Sequence, residues 1–300
     1  MPILSPPCVL SIAGTDPSGG AGIQADIKAI SATGSYAASV ITALVAQNTQ
    51  TVEAIFEITP EFLSQQLTSV FDDLDIKAIK LGMLHNPAVI ETVYTYLKEY
   101  KGFIVLDPVM VAKNGSELLQ PEIIDLLKQY LLPLATVITP NIPEAEKLLG
   151  AKINSYEDME SAAKELSLKY NTNTLIKGGH FNLENSSDVL CLKNNAINNL
   201  NNINWLHAKK INTKNTHGTG CTLSSAIASY LAQGFDLIEA VKLAKDYLTH
   251  AILSGSKFNI GQGFGPVDHF YYLRDKHEKC EKYEKNDDLR KDTKTSTAFT

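Results

Sequence analysis

Residues 8–26, CVLSIAGTDPSGGAGIQAD, join an apolar run, a glycine-rich turn and the start of a helical pattern. A short apolar run that leads through glycines into a helix is typical of the first half of a βαβ unit. The turn then lies at the carboxyl end of a first strand predicted at 8–13. Glycines there would let the backbone approach a flat ligand closely.

The same alternation continues along the chain and predicts a doubly wound α/β protein with a mostly parallel sheet. Further strands are predicted at 76–81, 103–107, 136–139 and 174–177. Helices are predicted at 60–72, 87–100, 121–131, 156–170, 221–233 and 236–253. Three of these helices begin at a proline, which is tolerated in the first helical turn. The Asn-rich segment 182–204 predicts a peripheral hairpin around residues 188–192.

Composition indicates one large domain that binds small molecules. The 300 residues are 44% hydrophobic and 20% charged, which is ordinary for a globular protein. The net charge of −6 provides no basic surface for nucleic acid. We expect a single domain at 1–273 and a polar, disordered C-terminal tail at 274–300, where Lys, Glu, Asp and Thr dominate.

The sequence predicts a cytoplasmic protein that does not engage a membrane. The N-terminus lacks a basic segment followed by a long apolar one, so it does not read as a secretory signal. Residues 29–52 carry no charge, but their many Ser, Thr, Asn and Gln side chains argue against a membrane span. The four cysteines are dispersed without a CxxC pair, which fits a reducing compartment.

The strongest chemical signal is NTHGTGCTLS at 215–224, a glycine-rich turn that runs into a predicted helix. The backbone N–H groups of Gly218, Thr219, Gly220 and Cys221 would lack helical partners, and the helix dipole adds positive charge. Such a turn binds anions. It could stabilise the charge that develops on a phosphoryl group during transfer.

Cys221 is the candidate catalytic side chain of this turn. A thiol at a helix N-terminus tends to have a lowered pKa, which would make its thiolate available as a base. The alternative is a small buried apolar residue. Thr216 and Thr219 could cap the helix or contact phosphate. We assign His217 a local structural role.

Two carboxylates and a lysine lie at or just beyond the ends of predicted strands. Asp107 and Glu144 suit Mg²⁺ at such positions, although each could also serve a turn or a helix start. Lys177, in Lys-Gly-Gly-His at 177–180, offers a cation for a triphosphate, with an ordinary surface charge as the alternative. The chain contains no GxxxxGK[ST] motif, so a Walker-type NTPase is not indicated.

Together these motifs resemble the hydroxymethylpyrimidine/phosphomethylpyrimidine kinase family of thiamine biosynthesis. The motifs are GTDPSGGAGIQAD at 14–26, LGML at 81–84, NxxE at 141–144, KGGH at 177–180 and KNTHGTGCTLS at 214–224. The likeness runs in order from about Val9 to Val267. It implies a ribokinase-like three-layer αβα fold, a homodimer, and use of ATP with Mg²⁺. It also implies phosphorylation of 4-amino-5-hydroxymethyl-2-methylpyrimidine and then of its monophosphate.

The resemblance also assigns roles to individual residues. Gln47 would recognise the aminopyrimidine edge, because a carboxamide offers both a donor and an acceptor. The ring pocket would be lined by Gly14, Met83 and Val109, with Asp26 nearby; for Met83, core packing is the alternative. The nucleotide would contact Asn141, Lys177 and Thr216, and the metal would be held by Asp107 and Glu144. Cys221 would deprotonate the substrate hydroxyl.

Two other functions remain open from the sequence. Pyridoxal or pyridoxine kinases of the same superfamily act on a similar flat ring with a hydroxymethyl group, although Gln47 and Met83 favour the pyrimidine. A non-catalytic vitamin or nucleotide sensor could use the same fold. The intact phosphoryl-binding turn argues against a sensor.

Overall fold

The computed structural model describes residues 5–110, 121–179, 185–193 and 202–274. The strands are β1 Cys8–Ala13, β2 Tyr36–Ile41, β3 Ala43–Gln47, β4 Val52–Glu57, β5 Ile76–Leu81, β6 Phe103–Leu106, β7 Val137–Ile138, β8 Asn173–Ile176, β9 Asn185–Cys191 and β10 Ile203–Lys209. The helices are α1 Gly22–Ala32, α2 Pro60–Phe71, α3 Pro87–Leu97, α4 Pro121–Leu126, α5 Ile142–Leu149, α6 Tyr156–Tyr170, α7 Thr219–Ala232 and α8 Leu237–Gly255.

Eight strands form one sheet in the order β10-β9-β8-β7-β6-β5-β1-β2, and β3 pairs with β4 in a separate hairpin. Every pair from β8 through β2 is parallel, whereas β9 and β10 are antiparallel additions at one edge. The mostly parallel sheet and the peripheral hairpin at β9 and β10 are therefore confirmed. Parallel strands bring their carboxyl ends to one edge, where ligands bind in this class of fold.

Helices cover both faces of the sheet. On one face, α2, α3, α5 and α6 bury apolar side chains in a core that also contains residues of β1, β5 and β6. On the other, α7 packs against both α1 and α8 and also lies against β1, β5 and β6. The result is three layers, as predicted.

Most predicted elements agree with the structure to within a few residues, and the runs at 8–13 and 76–81 match their strands. The predicted helix at 121–131 is interrupted, because α4 passes into a π-helical turn at Leu127–Leu131. The uncharged segment 29–52 contains β2 and β3, which the sequence pattern did not reveal. Among the described residues, no helix has the length and apolar character needed to span a bilayer.

The chain divides into two compact units, Met1–His269 and Phe270–Thr300. The first contains all of the strands and helices given above. In the second, the backbone N–H of Leu273 donates to the carbonyl of Phe270. The predicted boundary at 273 and the disorder of the tail stay predictions.

Candidate active site

The glycine-rich turn at 215–220 leads directly into α7, which begins at Thr219, two residues before the predicted start. Gly218 precedes the helix with a left-handed φ of 78°, and no side chain caps the helix there. In the first helical turn, the N–H groups of Gly220 and Cys221 have no helical carbonyl to bond. These donors and the positive end of the helix dipole make this end of α7 suited to an anion.

Lys177 and Asp107 meet beside Gly220, at the ends of β8 and β6. Lys177 Nζ lies 2.7 Å from Asp107 Oδ1, which also accepts a 3.0 Å hydrogen bond from Thr139 Oγ1. A Cβ atom placed on Gly220 would lie 3.2 Å from both Asp107 Oδ2 and Lys177 Nζ. The predicted phosphoryl-binding turn, cation and carboxylate therefore share one location.

Glu144 is held beside this pair by the start of α5. Its carboxylate accepts a 2.8 Å bond from the N–H of Asn141, whose own side chain accepts from the N–H of Glu144 at 2.9 Å. Burial raises the pKa of Glu144, Lys177 opposes the change, and Asp107 adds to it. Burial lowers the pKa of Lys177, but the two carboxylates outweigh it and keep the lysine charged.

The two carboxylates fit a magnesium ion that is shared with a nucleotide. The described residues contain no group of three or more His, Cys, Asp or Glu side chains that could hold a metal. Mg²⁺ commonly uses one or two carboxylates and completes its coordination with phosphate oxygens and water. The one charge of Lys177 cannot balance both Asp107 and Glu144, so an added cation would be favourable.

The environment of Cys221 differs from the prediction. Although the side chain keeps partial solvent access, burial raises the pKa of its thiol to about 11. Lys80 lowers this pKa, Asp26 and Asp107 raise it, and a hydrogen bond from the Gly22 N–H lowers it. The expected lowering at the helix N-terminus is therefore wrong, because desolvation outweighs the nearby positive charge.

Three of the residues assigned to the ring pocket, Gly14, Met83 and Val109, follow neighbouring strands of the main sheet. Gly14 follows β1 and packs so closely on Met83 that a Cβ there would be 2.5 Å from the Met83 methyl carbon. Met83 follows β5, Val109 lies just beyond β6, and Gln47 ends β3. The side chains of Met83, Val109 and Gln47 are all half-buried. A flat ring could lie among them, although their contact with substrate stays a prediction.

Asp26, which the resemblance places near this pocket, is fully buried and its oxygens are already bonded, so its contact with substrate stays a prediction. Lys80 Nζ lies 2.9 and 2.8 Å from its two carboxylate oxygens. The hydroxyls of Ser11 and Ser225 donate to it at 2.6 and 2.8 Å. We therefore assign Asp26 to positioning Lys80, whose charge acts on the thiol of Cys221.

Two nucleotide assignments have structural roles in the described chain. The carbonyl of Thr216 accepts a 3.1 Å bond from Thr219 Oγ1, which stabilises the turn before α7. Asn141 caps α5. Their direct contact with a nucleotide stays a prediction, and His180 of the KGGH motif lies outside the described residues.

The family model described as "Phosphomethylpyrimidine kinase" matches residues 16–268. The chain belongs to the phosphomethylpyrimidine kinase family. A hydroxymethylpyrimidine/phosphomethylpyrimidine kinase from Rhizobium meliloti is 45% identical over 263 residues, covering 87% of this chain and 96% of the relative. Some relatives are longer: the chain spans 53% of a bifunctional thiamine biosynthesis protein from Geobacter sulfurreducens.

Solved structures agree with this family and with its ribokinase-like fold. The ADP complex of Bacillus subtilis pyridoxal kinase has a TM-score of 0.81 and 36% identity, covering 90% of this chain and 99% of that one. The phosphomethylpyrimidine kinase from Clostridium difficile 630 has a TM-score of 0.71 and 44% identity, covering 82% and 99%. The predicted fold and family are confirmed.

The main residue that sequence reasoning missed in this family member is Lys80. Its signal was present in the run Ile76-Lys77-Ala78-Ile79-Lys80-Leu81, because a lysine near the end of a buried parallel strand needs a buried partner. Burial lowers the pKa of Lys80, but the charge of Asp26 and the neighbouring groups raise it by more, so the lysine stays charged.

Proposed function

We propose that this cleft transfers the γ-phosphoryl group of ATP to 4-amino-5-hydroxymethyl-2-methylpyrimidine and then to the resulting monophosphate. The observation that carries the proposal is that Asp107 and Lys177, 2.7 Å apart, lie beside Gly220 at the start of α7, on the same edge of the sheet as Gly14 and Met83. A phosphoryl donor and a flat acceptor could therefore share one edge of the sheet.

The nucleotide end of the cleft supplies charge stabilisation. Lys177 would bind the phosphates, and the N–H groups of Gly220 and Cys221 would bind the transferring group, where charge develops. Asp107 and Glu144 would hold Mg²⁺, which would neutralise phosphate charge when bound. Phosphoryl transfer depends mainly on positioning and charge, and both are provided by groups fixed at strand and helix ends.

The acceptor end orients the hydroxymethyl group. Gln47 would bond the aminopyrimidine edge, while Met83 and Val109 would contact its faces. Sγ of Cys221 would accept the proton of the substrate hydroxyl; burial raises the pKa of this thiol, and Lys80 is the nearby cation that lowers it towards ionisation. The monophosphate is already ionised and needs no base, so its phosphorylation would depend on the anion-binding donors alone.

Product identification tests this function. The purified protein is incubated with Mg·ATP and the hydroxymethylpyrimidine, and in parallel with pyridoxal, and products are followed by mass spectrometry. We expect the pyrimidine monophosphate first and its diphosphate later. Pyridoxal is the second candidate because of the likeness to Bacillus subtilis pyridoxal kinase. Pyridoxal phosphate alone would support that function, and no product from either ring would support a sensor.

Cys221→Ala should separate the two phosphorylations. We expect a loss of about 100-fold in kcat for the first step, within the range for a general base, and less than about tenfold for the second. Both rates are measured with purified acceptors at saturating ATP. Cys8→Ala is a matched control, because Cys8 is also a half-buried free thiol. It begins β1, whereas the glycine-rich turn follows the opposite end of that strand. Equal losses in both steps would contradict the role of Cys221.

We also propose that the protein is a homodimer that associates through the outer face of the β3–β4 hairpin. Leu44 and Phe56 are cross-strand partners and are both exposed, Phe56 by 68%. The next pair on the same face, Ala46 and Ala54, is also exposed. Contiguous apolar surface of this kind commonly marks a protein interface.

Phe56→Asp should therefore shift the protein from dimer to monomer, because a buried carboxylate without a partner is costly. Light scattering coupled to size exclusion measures the mass. Leu168→Asp is the control, because Leu168 is 77% exposed on α6 and lies outside the hairpin. A Phe56→Asp variant that keeps the wild-type mass would overturn this interface.

We further propose a cytoplasmic location and a single kinase domain at 1–273 followed by a polar tail. Three described cysteines, Cys8, Cys191 and Cys221, are free thiols, which fits a reducing compartment. The family match to residue 268 and the compact unit ending at His269 support the domain boundary.

A further inference from the structure

Asp16 organises the glycine-rich turn between β1 and α1. Its carboxylate is buried, and Oδ1 accepts bonds from the N–H of Ser18 at 2.9 Å and its hydroxyl at 2.6 Å. Oδ2 accepts from the N–H groups of Gly20 at 3.1 Å and Ala21 at 2.7 Å. One side chain therefore fixes the path of the whole turn.

The same carboxylate reaches the phosphoryl-binding turn before α7. His217 Nε2 lies 2.7 Å from Asp16 Oδ2, although the two residues are 201 positions apart in sequence. An ionised carboxylate can only accept, so Nε2 of His217 carries the proton in this bond. The backbone N–H of His217 is anchored separately, on the carbonyl of Gly265 at 3.0 Å.

Around this bond the two turns are in direct backbone contact. A Cβ on Gly20 would overlap the His217 ring, and a Cβ on Gly218 would overlap the carbonyl oxygen of Gly20. The N–H of Gly22 lies close enough to the sulfur of Cys221 to lower the pKa of that thiol. The turn after β1 therefore covers the start of α7 and the candidate catalytic thiol.

Asp16 also contacts the acceptor side of the cleft. The Gln47 carboxamide lies near enough to the Asp16 carboxylate to lower the pKa of that carboxyl. Because an ionised carboxylate only accepts, a bond between the two side chains would come from the amide nitrogen of Gln47. Burial raises the pKa of Asp16, but hydrogen bonds from His217, Ser18 and Gln47 outweigh it, so the group stays ionised.

We propose that Asp16 and His217 are positioning residues that hold the ring-recognition side of the cleft in register with the phosphoryl-binding turn. The identity of the ring rests on the proposed function, but the link between the turns does not. Transfer needs the acceptor oxygen within about 3.5 Å of the phosphorus, and a displacement of about 1 Å can cost about 100-fold in rate. The link would therefore act on kcat and on acceptor binding.

Three variants test the link. His217→Ala removes it, while His217→Gln keeps an N–H donor near the position of Nε2. Lys28→Met is the control, because Lys28 Nζ donates to the Gly19 carbonyl of the same turn at 2.8 Å without touching the turn before α7. If His217→Ala melts below the assay temperature, His217→Asn replaces it, since its shorter side chain cannot reach Asp16.

Steady-state kinetics should show a change in kcat without a matching change in the KM for ATP. We expect His217→Ala to lose about 100-fold in kcat for both phosphorylations, with the KM for ATP within about threefold of wild type. The Gln variant should recover kcat to within about fivefold, and Lys28→Met should stay within about threefold. Equal losses for His217→Ala and His217→Gln in folded protein would overturn the proposal.

Alkylation of Cys221 by iodoacetamide, located by peptide mass mapping, tests the link without relying on activity. We expect Cys221 to react at least about tenfold faster in His217→Ala, because the turn no longer covers it, and at the wild-type rate in Lys28→Met. An unchanged rate in His217→Ala would overturn the proposal. If the wild-type protein phosphorylated neither ring, the proposed function would fail while this measurement still decided the link.

Discussion

Gly218→Ala should lower kcat for both phosphorylations by about 100- to 1,000-fold, the loss typical when a preorganised oxyanion donor is displaced. Gly218 has a φ of 78°, which costs an alanine about 1–2 kcal/mol. A Cβ there would also overlap the carbonyl oxygen of Gly20. The turn must move away from Gly20, and the donors of Gly220 and Cys221 move with it.

The control for this variant is Gly234→Ala. Gly234 follows α7 and also has a left-handed φ of 93°, but a Cβ there would meet no other atom of the described chain within 4 Å. It should lose stability without losing kcat, as measured by thermal melting and steady-state rates. Similar rates for Gly218→Ala and wild type would show that the turn is not the phosphoryl-binding element.

Lys80→Met should lower the free energy of unfolding by about 3–5 kcal/mol, because it leaves the Asp26 carboxylate buried without a cation. The neutral hydroxyls of Ser11 and Ser225 would remain as its partners. Chemical denaturation followed by circular dichroism measures the change.

Lys77→Met on the same strand is the matched control. Its side chain is 51% exposed and pairs with exposed Asp75 at 2.6 Å, so we expect a loss below about 1 kcal/mol. The double variant Lys80→Met with Asp26→Asn should be more stable than Lys80→Met alone, because it removes the stranded charge. Equal losses for Lys80→Met and Lys77→Met would contradict the buried ion pair.

The sequence predicted the central strands and most helices because their apolar runs and helix starts are local signals. It did not predict β2, β3 and β4 in the segment after α1, where exposed and buried residues are both apolar. Leu44 and Phe56 are exposed members of the β3–β4 hairpin, so the usual alternation of polar and apolar residues is absent there. Apolar side chains on the exposed face of this hairpin hide the strand pattern.

The site residues were predicted where a motif follows a strand or begins a helix, as for Asp107, Lys177 and Gly218. The error on the pKa of Cys221 arose because its desolvation depends on packing that the local sequence does not encode. Asp26 was assigned to the ring pocket, but its partner Lys80 lies 54 positions away in sequence. Only the folded chain brings these charges together.

A competition measurement tests most directly the central claim that one cleft carries out both phosphorylations. The pyrimidine monophosphate is added at increasing concentration to the first reaction at saturating Mg·ATP. One cleft predicts competitive inhibition against the hydroxymethylpyrimidine, with an inhibition constant equal to the KM of the monophosphate in the second reaction. Noncompetitive inhibition, or none at concentrations that saturate the second reaction, would place the two acceptors at different sites and contradict the account.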